Sequence, residues 1–416
     1  MQRWQIEDAE IHCTGRTFQH QRMTNSTERP VKVLRIINRF NVGGPVYNVT
    51  YLTKFLPKPF ETKLIGGCAT SSEQDATYIL ESHDVEFEKL GSMSRSVRVL
   101  SDLRTFFALI KLIKRYKPTI VHTHASKAGA LGRIAAKLMG VPVIVHTYHG
   151  HVFHGYFNPM VTKLVILLER FLGRISTKIV TISTEQQQEI VNKYKVVPIE
   201  KTCIIPLGFD LKRFEEGHTK RDALRIDAGL LNEQCAVAIV GRLAPIKNHL
   251  LFIDAAALVL RNYPKEFIFY VVGDGELKTE IKSYIENTYP LFNKNIVFTS
   301  WIADMTTLYP AMDIVCLTSL NEGTPVSLIE AQASGIPVIS TNVGGVKDIV
   351  QANETGIIME GNSEAELAKH LIELYLNKSL RMKMSQNARN FVKEKFTYQR
   401  LVEDMDSLYK TLLSNE

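Results

Sequence analysis

The sequence predicts an α/β protein made of two doubly wound domains that face each other across a cleft. The chain has 416 residues, which at about 150 residues per domain corresponds to two or three domains. Its composition, 45% hydrophobic and 22% charged, is that of a globular protein and excludes a disordered or fibrous chain. Short apolar segments alternate with helical patterns in two series, which predicts parallel sheets covered on both faces.

The first series follows about 30 polar residues without periodicity. Met23 opens a natural lead-in to the first strand, so residues 1–22 are expected to be dispensable, or Met23 to be the true start. Runs rich in branched apolar residues predict strands at 31–37, 119–122, 143–146 and 178–182. Between them, helical patterns predict helices up to about residue 56, at 100–116 and at 128–139.

The second series begins near Gln234 and predicts one helix at 250–262 and strands at 236–240, 267–272, 295–298, 314–317 and 337–340. Residues 363–413 are helical in pattern, and the break between the series lies near 206–210. We therefore expect four parts, namely a polar extension at 1–30, a first domain at 31–206, a second domain at 207–395 and a final helix at 396–416. The final helix is expected to pack back on the first domain.

Several classes of protein are disfavoured by composition. No apolar run approaches the roughly 20 residues that a membrane-spanning helix needs. The five cysteines are widely spaced and form no Cys-x-x-Cys pair, which argues against a zinc ribbon or a disulfide framework. The N-terminus is polar and acidic, unlike a secretory signal. A cytoplasmic location is the expectation, in a reducing compartment.

Positive charge is concentrated in the first half. Residues 1–210 contain 28 Lys and Arg against 17 Asp and Glu, whereas the remainder contains 22 against 26. Between 94 and 137 there are ten basic residues and one acid, Asp102. This segment is either a solvated helix face or a contact for an anionic partner, of which a membrane surface on the inner face of the cell membrane fits well. No nucleic-acid-binding pattern accompanies the charge, so nucleic acid is not an expected partner.

Ligands of doubly wound sheets bind at the carboxyl ends of the strands. Four segments directly follow predicted strands and are expected to line the cleft, namely Gly43-Gly44, His149-Gly150, 241–247 and 321–325. The glycine pair would let the backbone approach an anionic ligand closely, although a plain tight turn explains it equally well.

Two cations, Arg242 and Lys247, flank a proline-containing loop that suits a diphosphate, since Arg can bind oxygens in a fork. The alternative is an exposed basic loop. Gly273 belongs to an incomplete dinucleotide fingerprint, because Lys278 stands where the third glycine should be. The chain also has no Gly-Lys-Ser/Thr phosphate loop, which argues against a P-loop nucleotidase.

Glu322 and Glu330 form the most specific pair. A helix is predicted to begin near Val326, and the N–H groups of residues 324–327 at its start would form an anion site. Glu322 would lie beside the anion, where a carboxylate can accept hydrogen bonds from sugar hydroxyls, and Glu330 could reach a ribose diol. The alternatives are a carboxylate favoured by the helix dipole for Glu322 and a surface residue for Glu330.

The histidines cluster at 146–154, with His122 and His124 upstream. Their spacing matches no common closed zinc site and no cysteine or carboxylate lies close by, so no metal site is expected. Several are expected to be hydrogen-bonded loop residues, and His149 is placed to touch a ligand. Asp404 and Asp406 match a metal-binding Asp-x-Asp only superficially, since residues two apart on a helix point to nearly opposite sides.

Taken in order, these motifs resemble those of the bacterial retaining glycosyltransferases of family four, which have the GT-B architecture of two Rossmann-like domains. Residues 321–340 resemble the Glu-x₇-Glu signature of that family, with Glu322 and Glu330 as the two acids. The segments at 121–133, 146–150, 241–248, 272–276 and 341–350 also fit. Many relatives have two glycines before the Arg, whereas Val240 precedes Gly241 here.

The resemblance implies a role for each matching position. Arg242 and Lys247 would hold the diphosphate of the donor, Glu330 its ribose and Glu322 its sugar. His149 would lie near the reacting sugar, and Gly43 and Gly44 near the phosphate or the acceptor. Further contacts to the donor are expected from the backbone of Gly273, Gly323, Thr324, Pro325 and Val326.

The implied function is transfer of a hexose or N-acetylhexosamine from a nucleotide sugar, with UDP expected, to a glycan or lipid-linked acceptor in cell-surface polysaccharide synthesis. The first domain would take the acceptor and the second the donor, without a metal cofactor. Two other interpretations stay open, namely a nucleotide-sugar 2-epimerase of similar fold and a non-catalytic regulatory protein.

Overall fold

The computed structural model describes residues 30–41, 43–69, 75–94, 97–150, 153, 158–215 and 219–414. The described chain forms two parallel sheets, of seven and six strands, each with helices packed against it. The predicted fold class, two doubly wound α/β domains, is therefore confirmed.

The first sheet has the strand order β3-β2-β1-β4-β5-β6-β7. Its strands are β1 (Val31–Arg39), β2 (Phe60–Gly67), β3 (Phe87–Lys89), β4 (Ile120–His124), β5 (Val143–Thr147), β6 (Lys178–Thr181) and β7 (Thr202–Ile204). Its helices are α1 (Gly44–Phe55), α2 (Thr77–Glu81), α3 (Val99–Tyr116), α4 (Ser126–Leu138), α5 (Pro159–Ile175) and α6 (Thr184–Gln188). Because parallel crossovers are right-handed, α3, α4 and α5 share one face of the sheet, and α4 contacts both of its neighbours.

The second sheet has the order β10-β9-β8-β11-β12-β13. Its strands are β8 (Cys235–Val240), β9 (Phe267–Val272), β10 (Ile296–Thr299), β11 (Ile314–Leu317), β12 (Val338–Ser340) and β13 (Gly356–Ile358). The remaining helices are α7 (Lys212–Glu215), α8 (Arg221–Asp227), α9 (His249–Leu260), α10 (Lys278–Thr288), α11 (Val326–Ala333), α12 (Val346–Ile349), α13 (Glu364–Leu376), α14 (Lys378–Lys395) and α15 (Tyr398–Ser414). Apolar side chains of β8 and β11 are buried on both faces of this sheet, as expected for central parallel strands.

The last helix, α15, joins the core of the first sheet. Tyr409 is fully buried and packs on Phe60 with ring centroids 5.5 Å apart, and Tyr398 stacks on Tyr51 at 5.0 Å. Where the chain crosses back, the Phe209 N–H donates to the Phe396 carbonyl at 2.8 Å. The two halves are thus connected both through the segment near 206–210 and through the chain that leads into α15.

None of the helices in the described ranges combines the length and the hydropathy that crossing a membrane would require.

Candidate functional site

The carboxyl end of β11 holds the loop that follows β8. The Leu320 N–H donates to the Ile246 carbonyl at 2.8 Å, and the Thr318 hydroxyl donates to the carbonyls of Lys247 and Asn248 at 3.0 and 2.9 Å. These bonds fix a 3-10 turn, Pro245–Lys247, directly beside the segment that contains Glu322. The two strand ends therefore form one continuous surface, which the distance between them in sequence does not reveal.

Within this surface, Lys247 and Glu322 form an ion pair. The Lys247 Nζ lies 2.5 Å from the Glu322 Oε1, and the Ser319 hydroxyl donates to the same oxygen at 2.6 Å. The Lys247 side chain is 24% exposed and that of Glu322 is 12% exposed, so the pair is partly desolvated and attracts more strongly than a surface pair. An ammonium group and a carboxylate are thus held together at the site, the first suited to phosphate oxygens and the second to hydroxyl groups.

Arg242 pairs with a different carboxylate from Lys247 in this structure. Its side chain is 66% exposed, and its guanidinium lies 3.0 Å from the carboxylate of Glu276, which follows β9. The sequence led us to expect Arg242 and Lys247 to act on one diphosphate, whereas the structure gives the two cations different carboxylate partners. An exposed pair of this kind contributes little free energy, so an incoming anion can compete for the guanidinium.

Close approaches of the backbone require glycine at several positions around these loops, among them Gly273, Gly344 and Gly345. A Cβ added to Gly273, whose φ is +131°, would lie 2.1 Å from the Gly241 carbonyl oxygen. A Cβ on Gly344, whose φ is +51°, would lie 1.7 Å from the backbone carbonyl oxygen of Glu322. A Cβ on Gly345 would lie 2.2 Å from the backbone carbonyl oxygen of Gly323. Gly273 therefore has a structural reason to be glycine. The Gly344-Gly345 pair packs directly against the backbone of Glu322 and Gly323 and so supports the Glu322 loop.

The N-terminus of α11 faces this surface, as the sequence predicted for a helix that begins at Val326. Pro325 precedes the helix and has no N–H of its own, so it contributes none of the expected donors. The Thr324 hydroxyl is buried without a hydrogen-bond partner among the described residues. A buried hydroxyl beside the unpaired amides of a helix start is a place where an anionic ligand gains hydrogen bonds.

Glu330 is nearly buried within α11 rather than lying at the surface. Tyr309 donates a hydrogen bond to its Oε2 at 3.4 Å, and the Arg213 guanidinium lies 4.0 Å from its Oε1. Burial raises the pKa of the Glu330 carboxyl from its usual 4.5 to about 7, although Arg213 and Tyr309 oppose the shift. Arg213 and Tyr309 were missed in the sequence, where neither stands beside a recognisable motif.

The first domain meets this surface through two loops. A Cβ on Gly44 would lie 3.2 Å from the Leu207 side chain and 4.0 Å from that of Val326, and Gly43 immediately precedes it. The carbonyl oxygen of His149 lies 3.7 Å from the position of a Cβ on Gly323. Gly44 and His149 of one domain therefore border the same space as the α11 start of the other.

A direct hydrogen bond also joins the domains nearby. The Thr184 N–H donates to the carboxylate of Asp348 at 2.9 Å. The Ser183 side chain lies 3.5 Å from a Cβ placed on Gly345. These contacts hold the glycine pair that supports Glu322 against the first domain.

Three of the histidines are strand residues: His122 and His146 lie within strands, as the predictions at 119–122 and 143–146 had them, and the strand that contains His122 extends further, to His124. His122, His124 and His146 lie within strands β4 and β5 and are fully buried, because side chains on the inner strands of a parallel sheet are covered on both faces. His149 follows β5, and burial lowers its pKa from 6.5 to about 3, so its ring is neutral. His151 and His154 lie outside the described residues.

The described ranges contain no group of three or more His, Cys, Asp or Glu that could hold a metal ion. Asp404 and Asp406 of α15 are paired separately with Arg400 and Lys410, at 2.8 and 2.7 Å. Each carboxylate thus has its own cation one helical turn away, as the helical spacing indicated.

Two family models match the chain and together cover most of it. Residues 220–391 match the model described as glycosyl transferases group 1, and residues 42–213 match glycosyltransferase family 4. The division between the two matches falls at the connection between the two sheets.

Individual relatives agree with these family matches. The UDP-Gal:alpha-D-GlcNAc-diphosphoundecaprenol alpha-1,3-galactosyltransferase of Escherichia coli is 33% identical over 78% of this chain and 84% of its own length. The capsular polysaccharide biosynthesis glycosyltransferase CapM of Staphylococcus aureus is 29% identical over 80% of this chain and 87% of its own. Among solved structures, Anabaena HepE in complex with UDP superposes with a TM-score of 0.78 at 20% identity, covering 91% of this chain and all of that one, which shows a shared fold.

Proposed function

The chain belongs to the group 1, family 4 glycosyltransferases, and from this membership we propose that it transfers a hexose from a UDP-sugar to a sugar carried on a polyprenyl diphosphate. The observation that carries the proposal is the 33% identity, over most of both chains, to a galactosyltransferase named for UDP-Gal and a diphosphoundecaprenol-linked acceptor. The fold shared with UDP-bound HepE is compatible with this donor, and galactose is the first sugar to test.

In this proposal the donor lies against the second domain. Lys247, Arg242 and the amides at the start of α11 bind the diphosphate, with Gly273 at the neighbouring strand end. Glu330 accepts hydrogen bonds from the ribose hydroxyls. Once the diphosphate engages Lys247, the Glu322 carboxylate can accept a hydrogen bond from a hydroxyl of the sugar. These cations and helix amides provide fixed positive charge where the leaving group gains negative charge, so the proposal assigns no role to a metal ion.

The acceptor would enter from the first domain, past Gly43, Gly44 and His149. In a retaining transfer the acceptor oxygen bonds to the anomeric carbon on the face from which the diphosphate leaves. The bond from the anomeric carbon to the phosphate oxygen breaks, and the acceptor proton passes to an oxygen of the departing diphosphate. The enzyme then needs to position the two substrates and stabilise charge, and no side chain has to form a covalent bond.

The epimerase and the non-catalytic interpretations are less well supported. Both relatives described above are named as glycosyltransferases. An epimerase would change the sugar nucleotide without an acceptor, and a regulatory protein would change neither substrate.

Incubation with UDP-galactose and a synthetic GlcNAc-diphospho-polyprenol, followed by mass spectrometry, tests the proposal. We expect an acceptor heavier by one hexose, with an α linkage by NMR, and no product when the acceptor is omitted. UDP-glucose, UDP-GlcNAc and UDP-GalNAc establish the choice of sugar. An altered UDP-sugar in the absence of acceptor would favour the epimerase instead, and unchanged substrates throughout would contradict transfer.

We propose that the α3–α4–α5 face of the first domain docks on an anionic membrane at the inner face of the cell membrane, where a lipid-linked acceptor would lie. Helix α5 exposes an apolar stripe at one-turn spacing, with Met160 77% and Leu164 61% exposed, followed by Leu167 and Phe171. Helix α3 similarly exposes Val99, Leu100, Leu103 and Phe107. Exposed basic residues lie on the same three helices, namely Arg104, Lys111, Lys114, Arg115, Lys137, Lys163 and Arg174.

Apolar side chains flanked by lysine and arginine suit the boundary between acyl chains and anionic headgroups, and each basic residue near such a surface contributes about 1 kcal/mol. Flotation with vesicles rich in phosphatidylglycerol tests this docking face. The double variant Leu164→Glu/Leu167→Glu should lose binding, whereas Met382→Glu, an exposed apolar position on α14, should keep it. Absence of wild-type binding at low salt would contradict the proposal.

A further inference from the structure

A buried arginine lies beneath the cleft without a carboxylate partner in the described parts of the chain. Arg35, on β1, is fully buried. Its NH1 lies 3.1 Å from His122 Nδ1 and 3.5 Å from His124 Nε2, and its NH2 donates to the Leu52 carbonyl at 3.5 Å. A buried cation is costly unless its hydrogens meet acceptors. Here two imidazole rings and the Leu52 carbonyl lie against NH1 and NH2, whereas Nε has no hydrogen-bond partner among the described residues.

These contacts determine where the ring protons lie. A guanidinium only donates, so each ring nitrogen that it contacts presents a lone pair. Burial lowers the pKa of both His122 and His124 well below 6.5, with Arg35 adding to the shift, so each ring is neutral and carries a single proton. The proton of His122 therefore sits on Nε2, where it is donated to the Thr147 hydroxyl at 2.7 Å.

The same reasoning extends from His124 to the cleft. With Nε2 facing Arg35, the proton of His124 sits on Nδ1, which lies 3.0 Å from the Nε2 of His149. His149 Nε2 must then be the acceptor of this bond. Since the His149 ring is also neutral, its single proton sits on Nδ1. That nitrogen is buried and has no hydrogen-bond partner among the described residues.

We infer that Arg35 and His124 are positioning residues that fix His149 in the Nδ1–H tautomer, so that it donates a hydrogen bond to an oxygen of the bound sugar nucleotide. The inference rests on the proposed function for the identity of the ligand. His149 then acts as a neutral donor rather than as a base, since its other nitrogen is occupied by His124. The charge of Arg35 polarises both rings and strengthens the donated bond.

Nitrogen NMR of protein labelled with ¹⁵N-histidine tests the tautomer without relying on activity. The His149 signals are assigned by their disappearance in His149→Gln. We expect a protonated Nδ1 and an unprotonated Nε2 in the wild type at pH 7. In His124→Leu, which removes the donor, the His149 tautomers should become mixed. In His124→Asn, an amide N–H can replace the lost donor, so the Nδ1–H tautomer should persist.

Kinetics separate a positioning role from a structural one. We expect His124→Leu to lower kcat about 10-fold to 100-fold, in line with the loss of other orienting partners, and His124→Asn to stay within about 3-fold of the wild type. The control His370→Asn, on α13 of the second domain, should leave kcat unchanged. Equal losses in the Leu and Asn variants would overturn the inference.

A protonated Nε2 on His149 in the wild type would overturn the inference even if transfer is observed. If instead the proposed function is wrong, the protein transfers no sugar, but the wild-type spectrum still shows the Nδ1–H tautomer of His149. The two failures can therefore be distinguished. The wild-type spectrum also decides the question if His124→Leu does not fold.

Discussion

At the scale of single residues, the ion pair of Lys247 and Glu322 leads to the first prediction. Lys247→Ala should lower kcat/KM by about 10²-fold to 10³-fold, because it removes one fixed positive charge from the leaving diphosphate. Lys265→Ala is the matched control, since Lys265 is exposed and lies before the amino end of β9, whereas the candidate site lies at the carboxyl ends of the strands. Steady-state kinetics with a UDP-sugar measures both. Unchanged turnover in Lys247→Ala would remove this residue from the donor site.

The second prediction concerns Glu330 and pH. Its carboxyl titrates with a pKa of about 7, and the ionised form is the better acceptor for ribose hydroxyls. Affinity for a UDP-sugar should therefore rise with pH and level off above 7. Below 7 it should fall by up to tenfold per pH unit, because binding must then displace a proton. Isothermal titration calorimetry from pH 5.5 to 8.5 measures this profile.

The matched variant for this profile is Glu330→Gln, which keeps the shape but cannot ionise. It should bind more weakly at pH 8 and show a flat profile. In the ligand-free protein, the stability changes with pH in the opposite direction, falling as pH rises. Because the folded carboxyl holds its proton more tightly than the unfolded one, the wild type loses stability relative to Glu330→Gln as pH rises from about 4.5 to 7. A wild-type affinity that does not change with pH would contradict this role for Glu330.

At the scale of elements, the third prediction concerns the turn that supports the Glu322 loop. Gly344→Ala should weaken both stability and donor binding, because its Cβ would overlap the Glu322 carbonyl and push the loop away. Gly140→Ala is the control, since Gly140 has a similar positive φ of +65° but no atom within 4 Å of the added Cβ. The control should lose about 1–2 kcal/mol through strain alone and bind normally. Equal effects of the two variants on donor affinity would contradict the support role.

Secondary structure was predictable where the apolar runs were long and uninterrupted. The strand expected at 267–272 appears as β9 with the same bounds, and the helix expected near Val326 begins there. Four strands, namely β2, β3, β7 and β13, were not predicted. Three of them have only three residues, and β2 (Phe60–Gly67) mixes charged residues with a glycine pair, so none shows a clear apolar period.

The candidate site was only partly accessible to sequence reasoning, because its contacts join distant segments. Lys247 and Glu322 stand 75 positions apart, and the direct bond between them follows from strands β8 and β11 being neighbours. The contact of Arg35 with His122 spans 87 positions and depends on the pairing of β1 with β4. Strand order is a property of the fold, so residue spacing alone could not show these pairs. The roles assigned to the donor-site residues stay predictions.

At the scale of the whole molecule, the cleft depends on contacts that belong to both domains. Gly44 approaches Val326, His149 approaches Gly323, and α15 returns from the second domain to bury Tyr409 in the first. The Tyr409 hydroxyl lies 2.6 Å from His122 Nδ1, so the C-terminal helix reaches the same buried network that orients His149. The two domains are thus connected through the core as well as across the cleft.

Donor binding measured by thermal shift tests the central claim most directly, because the proposed transfer and the roles proposed for the donor-site residues both require a nucleotide sugar in this cleft. Stabilisation follows RT ln(1 + [L]/Kd), which is about 2.7 kcal/mol at a hundredfold excess over Kd. We expect UDP and a UDP-sugar to raise the Tm, GDP and ADP to have little effect, and Glu330→Gln to reduce the shift. Stabilisation by GDP or ADP but not UDP, or no stabilisation by any nucleotide, would contradict the account.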